Sequence, residues 1–212
     1  MDIRDILRAH SIHPLPHQLL AGYLKEYKRP NDKIKALKDK GLLETIKKGL
    51  YIAGPVLSGD KPNPFLLANH LLGPSYISNE TALSYYGLIP ERVYATTSVT
   101  IKASKEFKTP AGRFTYTHLD LPYYAFGINS TKVSGDLRAL IASAEKALCD
   151  KIITTSGLLL RSISSAYEYL VEDLRIEESH LKELDTDTIK DWIKKAPKKD
   201  SLLMVVKMIE KL

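Results

Sequence analysis

The chain has 212 residues, 44% of them hydrophobic and 26% charged, a balance suited to an ordinary globular fold of one large or two small domains. Its single cysteine, Cys149, excludes an intrachain disulfide and a cysteine-built zinc site, and a reducing, cytoplasmic setting is expected. The charged opening MDIRDILRAH lacks the apolar core of an export signal, and no apolar run approaches the roughly 18 residues of a membrane span, so no membrane partner is expected. The net charge of +6 is unevenly placed: residues 1–51 hold 11 Lys and Arg against 6 Asp and Glu, a net +5, whereas residues 52–212 hold 20 against 19, a net +1. Cations gathered on one surface are what a phosphate backbone requires, because binding is driven by the release of condensed counterions.

Ile3, Ile6 and Leu7 recur at helical spacing and predict a short amphipathic helix ending near His10. Pro16 fits the first turn of a second helix with a buried stripe of Leu19, Leu20, Tyr23 and Leu24. Pro30 breaks the chain again. Ile34 and Leu37 then mark a third helix over roughly 30–40, stopped by Gly41. After Gly41 the period changes. LLETIK, the turn KKG and LYIAG read as a β-hairpin. Three short helices followed by a hairpin is the order of a winged helix-turn-helix, in which the third helix enters the major groove and the hairpin tip meets backbone.

Residues 54–64, GPVLSGDKPNP, are rich in turn formers and read as a connection between two domains, 1–54 and 62–212. Beyond it PFLLANHLL and NETALSYYGL predict helices, the second capped by Ser78 or Asn79. TTSVTIKA and GRFTYTHL predict strands joined by a turn at KTPAG, and YYAFGI a further strand. Asp136 is expected to open a long helix carrying Leu137, Leu140, Ile141, Ala144, Ala147 and Leu148. Four amphipathic segments follow, 161–174, 177–184, 188–195 and 202–212. The expected fold class is α+β: a winged helix-turn-helix, then a mixed α/β domain with a helical C-terminal tail.

With Ile34 and Leu37 buried, the third helix presents Asp32, Lys35 and Asp39 outward, with Arg29 and Asn31 at its entering end. Arginine can read a guanine edge bidentately and asparagine an adenine edge, while lysines neutralise phosphate. The candidate DNA-binding residues are Lys28, Arg29, Asn31, Asp32, Lys35 and Lys38, together with Lys47 and Lys48 in the hairpin turn. Asp32 and Asp39 oppose phosphate unless each meets a cytosine amine or a neighbouring cation.

The stretch LKDKGLLETIKKGLYIA, followed by NPFLLANHLLGPSYISNETALSYYGLIPERVYATTSVTIKASKEFKTPAGRFTYTHL and later by AEKALCDKI, resembles the AbiEi family. These are antitoxins and transcriptional regulators of type IV toxin-antitoxin and abortive-infection systems. The resemblance runs from about residue 15 to about residue 155, and YISNETALSYYGLIPE and AEKALCD are its most specific parts. It implies a repressor that binds double-stranded operator DNA upstream of its own operon, with a homodimer on DNA as one arrangement. It also implies an antitoxin in phage defence, countering a nucleotidyltransferase toxin without requiring a stable complex with it. The helix from Asn31 to Lys40 and the turn Lys47 to Gly49 match the family's DNA-binding region, and the second domain matches its antitoxin part. No catalytic residue carries over, and neither cofactor nor metal is implied.

Other residues admit plainer readings. Tyr76, Ile77, Tyr85, Tyr86 and Leu88 read as packing, and Glu80, Glu91, Glu145 and Asp150 as paired carboxylates. Glu145 and Lys146 read as flanking a helix face. Cys149 reads as an inert buried thiol. His13 and His17 are four apart, but prolines intervene and no third metal ligand follows. The enzyme-class alternative is a restriction-type nuclease built on Glu91 and the triplet Glu106, Phe107, Lys108, and a third reading is a winged-helix adaptor for protein partners.

Overall fold

The computed structural model describes residues 2–57 and 59–212, and its architecture is α+β with two sheets. The first unit comprises α1 (Ile3–Ala9), β1 (Leu15–Pro16), α2 (His17–Tyr23), α3 (Pro30–Asp39), β2 (Leu43–Lys47) and β3 (Leu50–Ala53). The Asp2 carboxylate accepts the Arg4 amide at 3.1 Å and starts α1. Pro30 fixes the first turn of α3. Gly41, at φ +66°, ends that helix: its amide returns to Lys38 and the Leu42 amide to Leu37, so a left-handed residue satisfies carbonyls that the helix leaves open. Ile34 and Leu37 pack with Ile3, Ile6, Leu7, Leu15, Leu20 and Leu24. Leu19, placed by spacing in the buried stripe of α2, is instead 40% exposed.

β2 and β3 pair antiparallel, and Gly49, at φ +83°, closes the turn between them. A two-residue strand that spacing could not reveal completes the sheet: β1 lies beside β3, with Leu15 opposite Tyr51. Pro16 therefore belongs to β1 and precedes α2 instead of sitting in its first turn. Gly54 follows β3, and a Cβ there would lie 2.1 Å from the Gly41 oxygen. Gly54→Ala is expected to cost at least about 1–3 kcal/mol, the usual range for overpacking. An unchanged urea midpoint would show that the α3 terminus and β3 do not meet so closely.

The second unit continues with α4 (Pro64–Leu71), β4 (Ser75–Ile77), α5 (Asn79–Tyr85), β5 (Ala95–Thr100), β6 (Lys105–Thr109), β7 (Gly112–His118), β8 (Ile128–Ser134), β9 (Leu137–Ala142) and α6 (Ala144–Thr154). Then come α7 (Ile163–Tyr167), which widens into a π-helical turn over Glu168–Asp173, and α8 (Glu178–Lys182), α9 (Thr186–Ile193) and α10 (Lys199–Ile209). The six strands lie in the order β6-β7-β5-β4-β9-β8.

Three expectations for this unit are corrected. β5 and β7 are neighbours but run parallel; the hairpin partner of β7 is β6, which covers the KEFKT residues before the Pro110 turn. YYAFGI is a 3₁₀ turn over Tyr123–Ala125, and the strand starts later, at Ile128. Leu137, Leu140 and Ile141 lie on strand β9, and the helix begins only after Ser143, whose hydroxyl accepts the Lys146 amide at 3.2 Å. Of the aromatic residues expected to pack, Tyr76 is fully buried, whereas Tyr85 and Tyr86 are 47% and 37% exposed.

The elements divide near residue 54, but the buried residues fall into two clusters that divide within the hairpin, with Leu42 and Leu43 in the first and Ile46 in the second. Ile46, Leu50 and Ile52 of the hairpin cluster with Leu67, Leu71 and Tyr76 of the second unit. One side of the hairpin thereby joins the apolar cluster that includes α4, and Lys48, Gly49 and Tyr51 on its other side face α3.

Candidate nucleic-acid interface

An open groove of about 650 Å³ lies between α3 and the β2–β3 turn. Asn31, Lys35 and Lys38 line it from the helix, at spacings of four and three residues that align them on one face. Lys48 and Gly49 line it from the turn, and Ile34 and Tyr51 supply apolar surface. Lys35, Lys38 and Lys48 are exposed, and among the described residues none forms an ion pair with a carboxylate. Like charges facing one another without acids make the groove attractive to a polyanion.

The remaining candidates are distributed differently. Lys28, Arg29 and Asp32 are exposed but do not line the groove. Arg29 Nη1 lies 3.7 Å from Asp32, so the carboxylate expected to oppose phosphate already faces a cation; at this exposure the pair is weak and can exchange partners.

Lys47 is turned away altogether. Its ammonium donates to the Leu71 carbonyl at the end of α4, and burial, reinforced by Lys102 and Lys105, pushes its pKa down. The irregularity between Thr45 and Lys47 helps send adjacent lysines to different sides: Lys48 into the groove, Lys47 against the second unit.

Sequence reasoning did not select His17 and Tyr51 for this surface. Their rings stand 6.3 Å apart in the groove wall. Alternation in LYIA carried the signal for one of them: Leu50 and Ile52 are buried, so Tyr51 between them takes the other face of the strand.

Burial favours the neutral ring at two histidines near this region. His13 has its pKa lowered by burial and then by His10, with Nδ1 buried and unpartnered; His70 has its pKa lowered by burial and then by Lys47. Both are neutral in the folded state at pH values where the unfolded chain takes up protons. Stability is therefore complete above the ordinary histidine value of about 6.5 and falls as pH drops from there toward the lowered folded values. The thermal midpoint is expected to fall between pH 8 and pH 5.5, and to fall less in a His13→Gln, His70→Gln variant. An equal drop in both proteins would assign the effect to carboxylates.

In the second unit the two stretches YISNETALSYYGLIPE and AEKALCD meet. Asp150, fully buried on α6, accepts from the Tyr76 hydroxyl at 2.9 Å and the Ser78 hydroxyl at 2.7 Å. Lys146, also fully buried rather than flanking a helix face, lies 2.7 Å from Asp150 and 3.3 Å above the Tyr123 ring. Burial lowers the lysine pKa and Asp150 opposes that shift. Ser78 occupies the cap position of α5, but its hydroxyl serves Asp150 and makes no cap bond. Glu80 pairs with Lys151 at 2.6 Å, Glu91 with Arg175, and Glu145 accepts from the Ser143 hydroxyl at 2.8 Å. Cys149 is buried and its thiol pKa is pushed up by burial.

Glu106 and Lys108 do share β6, but Glu106 pairs with Arg113 at 2.9 Å and Glu91 with Arg175. Among the described residues no group of three or more His, Cys, Asp or Glu is placed to hold a metal, and no helix is long and apolar enough to cross a membrane.

No family profile and no curated protein matches the sequence. The fold is similar to that in the crystal structure of RV2827C protein from Mycobacterium tuberculosis, with a TM-score of 0.60 and 14% identity over 99% of this chain and 77% of that one. At that identity the likeness concerns the fold alone.

Proposed function

We propose that the first unit is a winged helix-turn-helix that seats α3 in the major groove of a double-stranded operator and sets the β2–β3 turn against its backbone. The carrying observation is the juxtaposition of Asn31, Lys35 and Lys38 on one helix face with Lys48 across an open groove, none of the lysines neutralised by a carboxylate among the described residues. Lys35, Lys38 and Lys48 neutralise phosphates. Asn31 reads an adenine edge, a contact of the kind that discriminates by about 1–3 kcal/mol. Lys28 and Arg29 add phosphate contacts at the end of the helix, Arg29 exchanging Asp32 for phosphate.

In this reading the whole chain is a non-enzymatic regulator and antitoxin of the AbiEi type, cytoplasmic and without a cofactor, which represses its own operon and counters a nucleotidyltransferase toxin. The second unit, stiffened by Lys146 and Asp150, carries the antitoxin function. Titration of a labelled duplex from the operon's upstream region tests the DNA-binding half by fluorescence anisotropy. Binding is expected to weaken linearly in log–log form as salt rises, and Lys35→Ala is expected to flatten the slope by about one. A slope that Lys35→Ala leaves unchanged contradicts the assignment. Growth rescue on co-expression with a neighbouring toxin gene tests the other half.

A further inference from the structure

A second set of basic groups lies on the far side of the hairpin from the groove. Lys47 donates to the Leu71 carbonyl, and Lys102, on the loop after β5, donates to the Gly73 carbonyl at 2.5 Å. Two ammonium groups are thus held by carbonyls two residues apart, at the C-terminus of α4, where the helix dipole favours positive charge. Lys105 opens β6 with its ammonium 4.9 Å from the Phe107 ring centre, close enough to Lys47 to lower that group's proton affinity. Lys102 and Lys105 are exposed, and among the described residues none of these three lysines pairs with a carboxylate. The helix end accounts for Lys47 and Lys102, but it leaves Lys105 unexplained; the carboxylates closest in the chain and fold are engaged elsewhere, Glu106 with Arg113 and Asp120 with His118.

We propose that Lys102 and Lys105 of the second unit form a second phosphodiester-contacting site, which takes the duplex backbone as it passes the hairpin and leaves the groove. The proposal rests on the reading of the groove as a DNA site. Lys48 lines the groove and its neighbour Lys47 borders the second cluster, so the hairpin turn joins the two cationic surfaces, and among the described residues neither lysine pairs with a carboxylate. Each strand of a duplex offers one phosphate per about 3.4 Å of axis, so a backbone crossing the turn presents charge to both surfaces at once. Ile46, Leu50 and Ile52 share an apolar cluster with the second unit, so the hairpin that carries Lys48 packs on the unit that carries Lys102 and Lys105. The contacts carry no sequence information; they lengthen the footprint and set its direction.

The test compares two duplexes carrying the same operator: a short one of about 12 base pairs that fills only the groove, and one of about 24 base pairs extended past the hairpin. In Lys102→Ala, Lys105→Ala protein, affinity for the long duplex is expected to fall roughly tenfold and its salt slope to flatten by about two, with the short duplex bound as by the unaltered chain. Equal binding of the long duplex by both proteins overturns the inference, as does an equal loss on both duplexes. Lys35→Ala, Lys38→Ala protein separates the two ideas, because it is expected to weaken both duplexes. If it binds both normally, the groove reading has failed and the second site falls with it. All four substituted lysines are exposed, and an unchanged urea midpoint confirms that folding is intact.

Discussion

Reversing Lys35 and Lys38 together to glutamate is expected to lower operator affinity at least about 100-fold at low salt, more than any other pair in the first unit. The two ammonium groups share one face of α3 with Asn31 and lie across the groove from Lys48. Each reversal removes a counterion-releasing contact and places a carboxylate against phosphate, so the loss is steepest at low ionic strength and shrinks as salt rises. Neither side chain is buried, and stability should hardly change. Arg29→Ala, outside the groove lining and already engaged with Asp32, is expected to cost less than tenfold. Parallel titrations with a scrambled duplex complete the test: lysine variants weaken both sequences alike, whereas Asn31→Ala narrows the gap between them. Full binding by the double glutamate variant would remove α3 from the interface.

The largest stability effect is expected at Asp150. Asp150→Ala leaves the Lys146 ammonium with only the Tyr123 carbonyl, 3.2 Å away, and the faces of two tyrosines, and it takes away the acceptor of Tyr76 and Ser78. An uncompensated buried charge of this kind costs about 3–5 kcal/mol, a large part of the roughly 5–15 kcal/mol that holds a domain together. Lys146→Met is expected to cost clearly less, because Asp150 keeps two hydroxyl donors and the methionine refills the space. Urea denaturation of the two variants checks the order. A loss under about 1 kcal/mol for Asp150→Ala would mean that water reaches the site.

Much of the first unit is legible because its boundaries are set by residues with local physics: Pro30 starts α3, Gly41 ends it, and Gly49 turns the hairpin. The second unit is harder to read because its organisation is non-local. Leu137, Leu140, Ile141 and Ala144 satisfy a helical period, while the buried Ala139 and Ile141 equally satisfy the strand period that the fold adopts. β6 exposes Lys105, Glu106 and Lys108 at the edge of the sheet and half-buries only Phe107 and Thr109, so it offers almost no apolar alternation. The parallel pairing of β5 with β7 has no local signature, since it depends on where β6 goes.

The groove repeats the lesson. The face bearing Asn31, Lys35 and Lys38 follows from helical spacing once Ile34 and Leu37 are buried, whereas Lys47 and Lys48 are indistinguishable in composition. Only the docking of the hairpin on α4 sends one toward Leu71 and the other into the groove. Lys146 reads in sequence as flanking a helix face, and since lysine is almost never fully buried, only the acid one turn later, Asp150, signals its burial.

Backbone amide spectra recorded while the upstream duplex is added locate the surface that meets DNA. The amides shifting first and furthest are expected to cluster at Asn31, Lys35, Lys38 and the Lys48–Gly49 turn, with α8 to α10 unaffected. Shifts confined to the C-terminal helices, or no shift at saturating duplex in low salt, would contradict an interface on α3 and the hairpin turn.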